Sequence, residues 1–232
     1  MAPLPTSPSR SPRFCAAIFD MDGLLLDSER PLLDAWVEAA RQLGHPFEPA
    51  LLARVLGRPG AEGVALFRAA LGPDYPYDTV KARARELMAA VHTRGFDVKP
   101  GARELLVRLA QALVPCAVAS STRRAQLTER LVRADLQRFF GAFVGGDEVQ
   151  RGKPAPDIFL LAAERLSVEA ARCVVFEDSE HGARGALAAA MQVVIVPDLA
   201  EPSAEARARC CAVVASLADV QQHFAAWFCS RA

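Results

Sequence analysis

The chain lacks any apolar run approaching the roughly 18 residues of a membrane span, any excess of one charge, any Cys-x-x-Cys pair and any internal repeat. The first absence argues against a membrane partner. Lys plus Arg balance Asp plus Glu at 27 each, so no global field draws the protein to nucleic acid or to an anionic membrane. The six cysteines are Cys15, Cys116, Cys173, Cys210, Cys211 and Cys229, and four of them, Cys15, Cys116, Cys173 and Cys211, fall in predicted strands. A free buried thiol behaves as a small hydrophobe. Structural thiols in a reducing cytoplasm are therefore expected, rather than a disulfide framework or a zinc site. His45, His92, His181 and His223 are scattered, with no metal-ligand spacing. Met1 to Pro12 is rich in Pro and Ser without an apolar signal core. It reads as a disordered tail rather than a signal peptide. Nothing in the sequence implies an obligate protein partner.

What is present is a large apolar fraction, 52% of 232 residues, enough for one large domain or a core plus a smaller one. From about residue 98 onward, short apolar strands alternate with helical patterns. Strands are predicted at Val114–Ala119, Ala142–Val144, Arg172–Phe176, Gln192–Val196 and Cys211–Ala215. Helices are predicted at Arg124–Arg133, Pro156–Leu166, Gly182–Met191 and Leu217–Phe228. This alternation implies βαβ units and a parallel sheet covered on both faces. Residues 30–95 break it. Pro31–Leu43, Pro49–Leu56, Ala61–Leu71 and Thr79–Thr93 all read as helices, with Gly or Pro between them. The expected organisation is α/β: a Rossmann-like parallel-sheet core, residues 13–29 and 96–232, with an inserted α-helical cap, residues 30–95. Asp27-Ser28-Glu29 and Gly95-Phe96-Asp97 would be its hinges.

The chemistry is concentrated where strands end. Phe14–Phe19 reads as a buried strand, and Asp20-Met21-Asp22-Gly23 follows it. Two carboxylates so close repel each other and raise one another's pKa. A hard cation such as Mg2+ would relieve this, since it takes carboxylate and carbonyl oxygens. One Asp could attack a phosphorus atom and the other could handle protons. Ligands in open α/β sheets bind beyond the carboxyl ends of the strands. Ser120 and Ser121 follow the second strand. Gly145-Gly146-Asp147-Glu148 and then Gly152-Lys153-Pro154-Ala155-Pro156-Asp157 follow the third. Glu177-Asp178-Ser179 follow Val174-Val175-Phe176.

These four ordered motifs, running from Asp20 to Glu29, over Ala119-Ser120-Ser121, over Gly152 to Asp157, and from Phe176 to Ser179 with Gly182 and Gly185 following, resemble those of the haloacid dehalogenase superfamily of phosphohydrolases. The similarity is to the helical-cap branch, which includes β-phosphoglucomutase and phosphoglycolate phosphatase, and it covers about residues 13 to 220. It implies a Mg2+-dependent phosphatase acting on a small phosphorylated metabolite, a sugar phosphate or similar monoester. Asp20 would be the nucleophile and form an aspartyl-phosphate. Asp22 would protonate the leaving oxygen and then deprotonate water. Asp20, the Asp22 backbone carbonyl and Asp178 would hold the metal, with Glu177 assisting. Ser120 would bind phosphate, Lys153 would offset negative charge, and backbone N–H groups around Met21 and Asp22 would add donors. Dehalogenation itself is disfavoured, because it needs neither Asp22 nor the Glu177–Asp178 pair.

Other residues carry two readings each. Ser121 is a phosphate ligand or a helix cap. Asp147 and Glu148 assist the metal or belong to a solvated loop. Asp27 and Glu29 read as hinge and helix-start residues, His181 as an exposed helix opener and Trp36 as cap core. In the cap loop Gly57-Arg58-Pro59-Gly60, Arg58 is the first candidate for substrate contact, with Arg30 and Arg54 behind it. In the core, Arg123 could meet a second anionic group. A phosphoglucomutase-type phosphotransferase is the close alternative. That branch expects a His after the first motif and an Arg three residues after Gly57. Residues 30–37 contain no His, and position 60 is Gly. A non-catalytic metabolite-binding protein on the same fold is the alternative from another class.

Overall fold

The computed structural model describes residues 13–55 and 60–228. The tail, Met1–Pro12, and the cap-loop residues Gly57, Arg58 and Pro59 lie outside the described residues, as does the side chain of Arg54. Six parallel strands form one sheet: β1 (Ala16–Phe19), β2 (Cys116–Ser120), β3 (Ala142–Gly145), β4 (Cys173–Glu177), β5 (Gln192–Ile195) and β6 (Ala212–Val213). Their order is β3-β2-β1-β4-β5-β6. The chain runs outward from β1 to β3, then crosses back to β4 on the other side of β1. Neighbouring strands thus lead into oppositely wound halves at the β1–β4 seam, and the crevice at such a switch point is where ligands bind.

β1, β2 and β4 are buried along their whole length, so they read as continuous apolar runs rather than alternating ones. Phe19 and Phe176, in register on β1 and β4, stack with ring centroids 4.8 Å apart. Helices cover both faces: α5 (Ala102–Gln111), α6 (Arg124–Arg133), α7 (Asp157–Leu166), α8 (Glu180–Ala188) and α9 (Ala204–Arg209), after the four helices of the insertion. α5 buries Ala102, Leu105, Leu106 and Leu109, the spacing that gives a helix one apolar stripe. α7 does the same with Ile158, Phe159, Ala162 and Ala163 on the opposite face of the sheet.

Between β1 and α5 lie α1 (Glu29–Gln42), α2 (Pro49–Val55), α3 (Gly60–Leu71) and α4 (Tyr77–Arg94). They bury a separate apolar cluster around Trp36, Leu52, Phe67 and Val80, which accounts for Trp36 as core. Two crossings join this insertion to the sheet. They are bound together where Asp27 N–H donates to Asp97 at 2.8 Å and Lys99 N–H donates to Leu25 at 2.9 Å.

Some elements differ from the sequence reading. The last strand shrinks to Ala212–Val213. The terminal helix is a 3-10 turn, Leu217–His223, followed by the short α10 (Phe224–Trp227). α5 and α9 were not anticipated. No helix among the described residues is long and apolar enough to cross a membrane. The five described cysteines are free, and burial pushes the Cys116 and Cys173 thiols up to about 12 and about 11.

Candidate active site

The first motif leaves the sheet through a tight turn. Met21 C=O accepts from the N–H groups of Leu25 and Leu26, both at 3.0 Å, and Gly23 N–H donates to Leu26 at 2.9 Å. Gly23 has φ +80°, and a Cβ there would stand 2.4 Å from Asp178 Oδ2. Glycine at this position therefore lets the β1 turn close on the β4 carboxylates. Gly182 plays the corresponding part on α8, where a Cβ would stand 2.0 Å from the Glu177 carboxyl carbon.

The sheet edge so formed holds a dense set of charges. Asp20 is 6% exposed and Glu177 fully buried. Lys153 Nζ donates to Asp20 Oδ1 and to Glu177 Oε1, each at 2.5 Å. The second Glu177 oxygen accepts from Ser179 Oγ at 3.0 Å and from its N–H at 3.3 Å. Asp178 accepts no hydrogen bond from the described residues. One oxygen each from Asp20, Glu177 and Asp178 lie within 4.8 Å of one another.

Burial raises the pKa of Asp20 well above the usual carboxylate range. Lys153 works against this rise, and Glu177 and Asp22 add to it. Asp178 is raised by burial and then by Glu177, Glu29 and Asp20. Burial opposes the charge on Lys153, but Asp20 and Glu177 outweigh it and its pKa goes up. Three carboxylates facing one ammonium leave a deficit of positive charge, and oxygen ligands at this spacing suit a hard divalent cation. The donor set fits such a metal.

Asp22 turns away from this cluster. Its Oδ1 accepts from Arg130 Nη1 at 2.6 Å and Ser28 Oγ at 2.8 Å, and its Oδ2 accepts from Thr122 Oγ1 at 2.7 Å and Ser120 Oγ at 3.3 Å. Ser120 is buried and also caps Thr122 N–H at 3.1 Å. Only the backbone of Asp22 remains for a metal.

Above these groups lies a cavity of about 530 Å³. Its floor includes Asp20, Asp22, Ser120, Lys153 and Asp178, and its roof includes Leu32, Met88, His92 and Phe96. Ser121 is exposed and lines it as well. Met21 does not line it, because its side chain is fully buried in the core. Arg123 is exposed at the start of α6 and is not a lining residue. Arg30 sits outside too, pairing with Asp198 at 2.9 Å and Asp27 at 3.7 Å. Asp147 accepts from Arg124 N–H at 2.7 Å, and Glu148 accepts from Arg165 at 2.7 Å and Gly145 N–H at 2.8 Å. Both therefore fasten loops to helices.

The sequence reading missed Thr122, Arg130 and the cavity-facing role of Glu29, as well as the roof residues Leu32, Met88 and His92. Thr122 follows the second motif directly and could have been included with it. Nothing local marks Arg130, which looks like any helix-surface arginine. Glu29 is pushed up to about 7 by burial and then by Asp198, Asp22 and Glu177.

Comparison with known proteins shows the family. Residues 17–196 match the model of the haloacid dehalogenase-like hydrolase family. A phosphorylated carbohydrates phosphatase of Thermotoga maritima is 37% identical over 177 residues, covering 76% of this chain and 82% of the relative. A fructose-1-phosphate phosphatase of Escherichia coli is 34% identical over 189 residues, covering 79% and 97%. Among solved structures, a HAD family hydrolase from Deinococcus radiodurans with bound phosphate and sodium superposes with a TM-score of 0.77 at 28% identity, covering 95% of this chain and 100% of that one. With the family model matching most of its length, the chain belongs to the haloacid dehalogenase-like hydrolases.

Proposed function

We propose that the protein is a Mg2+-dependent phosphatase that hydrolyses a small phosphorylated metabolite, a sugar phosphate or similar monoester, through an aspartyl-phosphate on Asp20. The observation that carries this reading is the buried Asp20 carboxylate at the end of β1, 2.5 Å from Lys153 and within the three-carboxylate cluster. Its phosphatase relatives act on phosphorylated carbohydrates and fructose 1-phosphate, which supports the substrate class.

In this reading Asp20 attacks phosphorus, the ester P–O bond breaks, and Asp22 gives its proton to the departing oxygen. Water then attacks the phosphoryl group and loses its proton to Asp22. The P–O bond to Asp20 breaks, releasing inorganic phosphate and the carboxylate. Lys153 holds Asp20 in place and offsets charge on the incoming phosphate. Ser120 and Ser121, with backbone N–H groups of the Met21–Asp22 turn, are the phosphate donors. Asp20, Asp178 and the Asp22 carbonyl would hold Mg2+, with Glu177 behind them. Bound there, the ion screens the carboxylates and polarises the phosphoryl group.

Residues 30–95 act as the cap, hinged near 27–29 and 95–97, over a core of 13–29 and 96–232. Cap closure excludes water and completes the site. Arg58, in the cap loop, is the proposed cap contact to substrate. The reduced, buried thiols of Cys116 and Cys173 support a cytoplasmic setting. A phosphoglucomutase-type reaction needs a second cationic phosphate site. The described lysine and arginine side chains lining the cavity are Lys153 and Arg130, and carboxylates engage both.

The test is phosphate release from a panel of phosphorylated metabolites, with Mg2+ and with EDTA. Release that EDTA abolishes is expected. Sugar-phosphate isomerisation outrunning phosphate release would favour the mutase, and no turnover of any ester would favour a binding protein.

A further inference from the structure

Asp22 has a carboxylate saturated with donors. A carboxylate offers about four acceptor positions, and here each oxygen receives two bonds from Arg130, Ser28, Thr122 and Ser120. Three of these donors are hydroxyls, which rotate and can give up or reverse a hydrogen bond. The fourth is a guanidinium, which only donates, keeps its charge and forms the stronger charge-assisted bond. When a substrate oxygen or water approaches Asp22, the hydroxyls are the partners that can yield. Arg130 is the partner that stays.

Arg130 is itself well fixed. It lies in the C-terminal half of α6, its guanidinium stacks over the Phe96 ring at 5.0 Å, and its side chain is 21% exposed. The next arginine on the helix, Arg133, is used differently. It donates to the carbonyls of His92 and Thr93 at 2.8 and 2.7 Å, joining α6 to the end of α4. Two nearby arginines of one helix thus divide the work, one holding the cap helix and the other facing the cavity.

We propose that Arg130 is a positioning residue for Asp22: it fixes the Asp22 carboxylate at the reacting phosphoryl group while the hydroxyl donors exchange with substrate and water. This rests on the phosphatase reading. Asp22 acts twice in that reaction. Its service to the leaving oxygen matters little when the leaving group is a stable phenolate, but its service to the attacking water is needed for every substrate. Loss of Arg130 therefore leaves the first step on an aryl phosphate nearly intact and slows the second, so phosphoryl-enzyme accumulates.

The experiment uses the full chain with Mg2+, p-nitrophenyl phosphate and an alkyl ester such as fructose 1-phosphate, followed by rapid mixing and in steady state. For Arg130→Gln we expect kcat lowered about 10- to 100-fold on both substrates, the size of a misplacement on the order of 1 Å, with KM for the aryl ester falling alongside kcat because the first step is nearly intact. On the aryl ester we expect a nitrophenolate burst near one equivalent of enzyme. Arg130→Lys should recover part of kcat and shrink the burst. If Arg130→Gln fails to fold, the burst and the kcat-against-KM split of Arg130→Lys carry the test alone. A raised KM with kcat retained would make Arg130 a substrate ligand and overturn the proposal, as would wild-type kinetics in the variant or a fall in kcat without a burst. Absence of Mg2+-dependent hydrolysis in the wild type would instead overturn the phosphatase reading itself.

Discussion

The floor and the roof of the cavity are built on opposite principles. The floor is a set of charges at strand ends, most of them held by others: Asp20 and Glu177 by Lys153, and Asp22 by Arg130, whereas Asp178 accepts no hydrogen bond among the described residues. The roof is Leu32, Met88, His92 and Phe96, from α1, α4 and the returning crossing, with no carboxylate–cation pair among them. Charges gathered in a low-dielectric crevice are costly unless they serve a reaction or a metal. An apolar roof costs little and can change without disturbing them. In the proposed reaction this difference gives bond-making to the floor and substrate choice to the roof.

The largest effect should come from the floor. Asp20→Asn removes the proposed nucleophilic oxygen and proposed metal ligand while keeping shape, and should lower kcat by at least about 10⁴-fold. Its thermal transition should be retained. Appreciable phosphate release from that variant would break the comparison at its base. Asp22→Asn should cost about 10²–10⁴-fold on alkyl esters, the worth of a positioned proton-transfer group, and less on the first turnover of an aryl ester. Equal losses on both would contradict the two-step role of Asp22.

Metal dependence sharpens the picture within the floor. Glu177 is tied up by Lys153 and Ser179, whereas Asp178 receives no donor among the described residues. Asp178→Ala should raise the Mg2+ concentration for half-maximal activity more than Glu177→Gln does. Titration of Mg2+ at fixed substrate checks this, and the reverse order would exchange their places.

Glu29 links floor and roof. Its carboxyl, ordinarily near 4.5, is raised to about 7 chiefly by burial and then by Asp198, Asp22 and Glu177. Folding favours its protonated form. In metal-free protein this contribution is full below pH 4.5 and is lost as pH rises through about 7. The loss amounts to about 3 kcal/mol. Denaturant melts in EDTA should show that decline, and Glu29→Gln should make it shallower, leaving the part due to Asp20 and Asp178. An unchanged pH profile in the variant would place the charge deficit elsewhere.

The smallest effects belong to the roof. Leu32→Ala and His92→Ala should shift the ratio of kcat/KM between two sugar phosphates by about 10-fold, the usual worth of small changes in a pocket wall. Turnover of p-nitrophenyl phosphate should move much less. A roof variant that abolished turnover of every ester would erase the distinction between the two regions.

Legibility in the sequence follows the same division. Asp20, Ser120, Glu177 and Asp178 were readable because each stands at or just past the end of an apolar run, and the topology of a parallel sheet brings such positions together; Lys153 was readable from the Gly152–Asp157 motif. The helical insertion was readable from four periodic segments with no strand between them. Arg130 was not, because its ion pair joins residues 108 apart and depends on which face α6 presents. On its own helix it has no distinguishing neighbour. α5 and α9 were not anticipated, although α5 is as long as α6 and α7, and β6 keeps only two residues of pairing with β5. The roof was the least legible part, since apolar residues on helices look alike whether they face a core or a cavity.

The most direct measurement is of the covalent step itself. Asp22→Asn, mixed with an aryl phosphate and Mg2+ and quenched in acid, should carry one phosphoryl group on the peptide containing Asp20. That adduct should be absent without Mg2+ and absent when Asp20 is also changed to Asn. An adduct on another residue, or nitrophenolate release with no adduct at any quench time, would contradict a reaction that passes through Asp20.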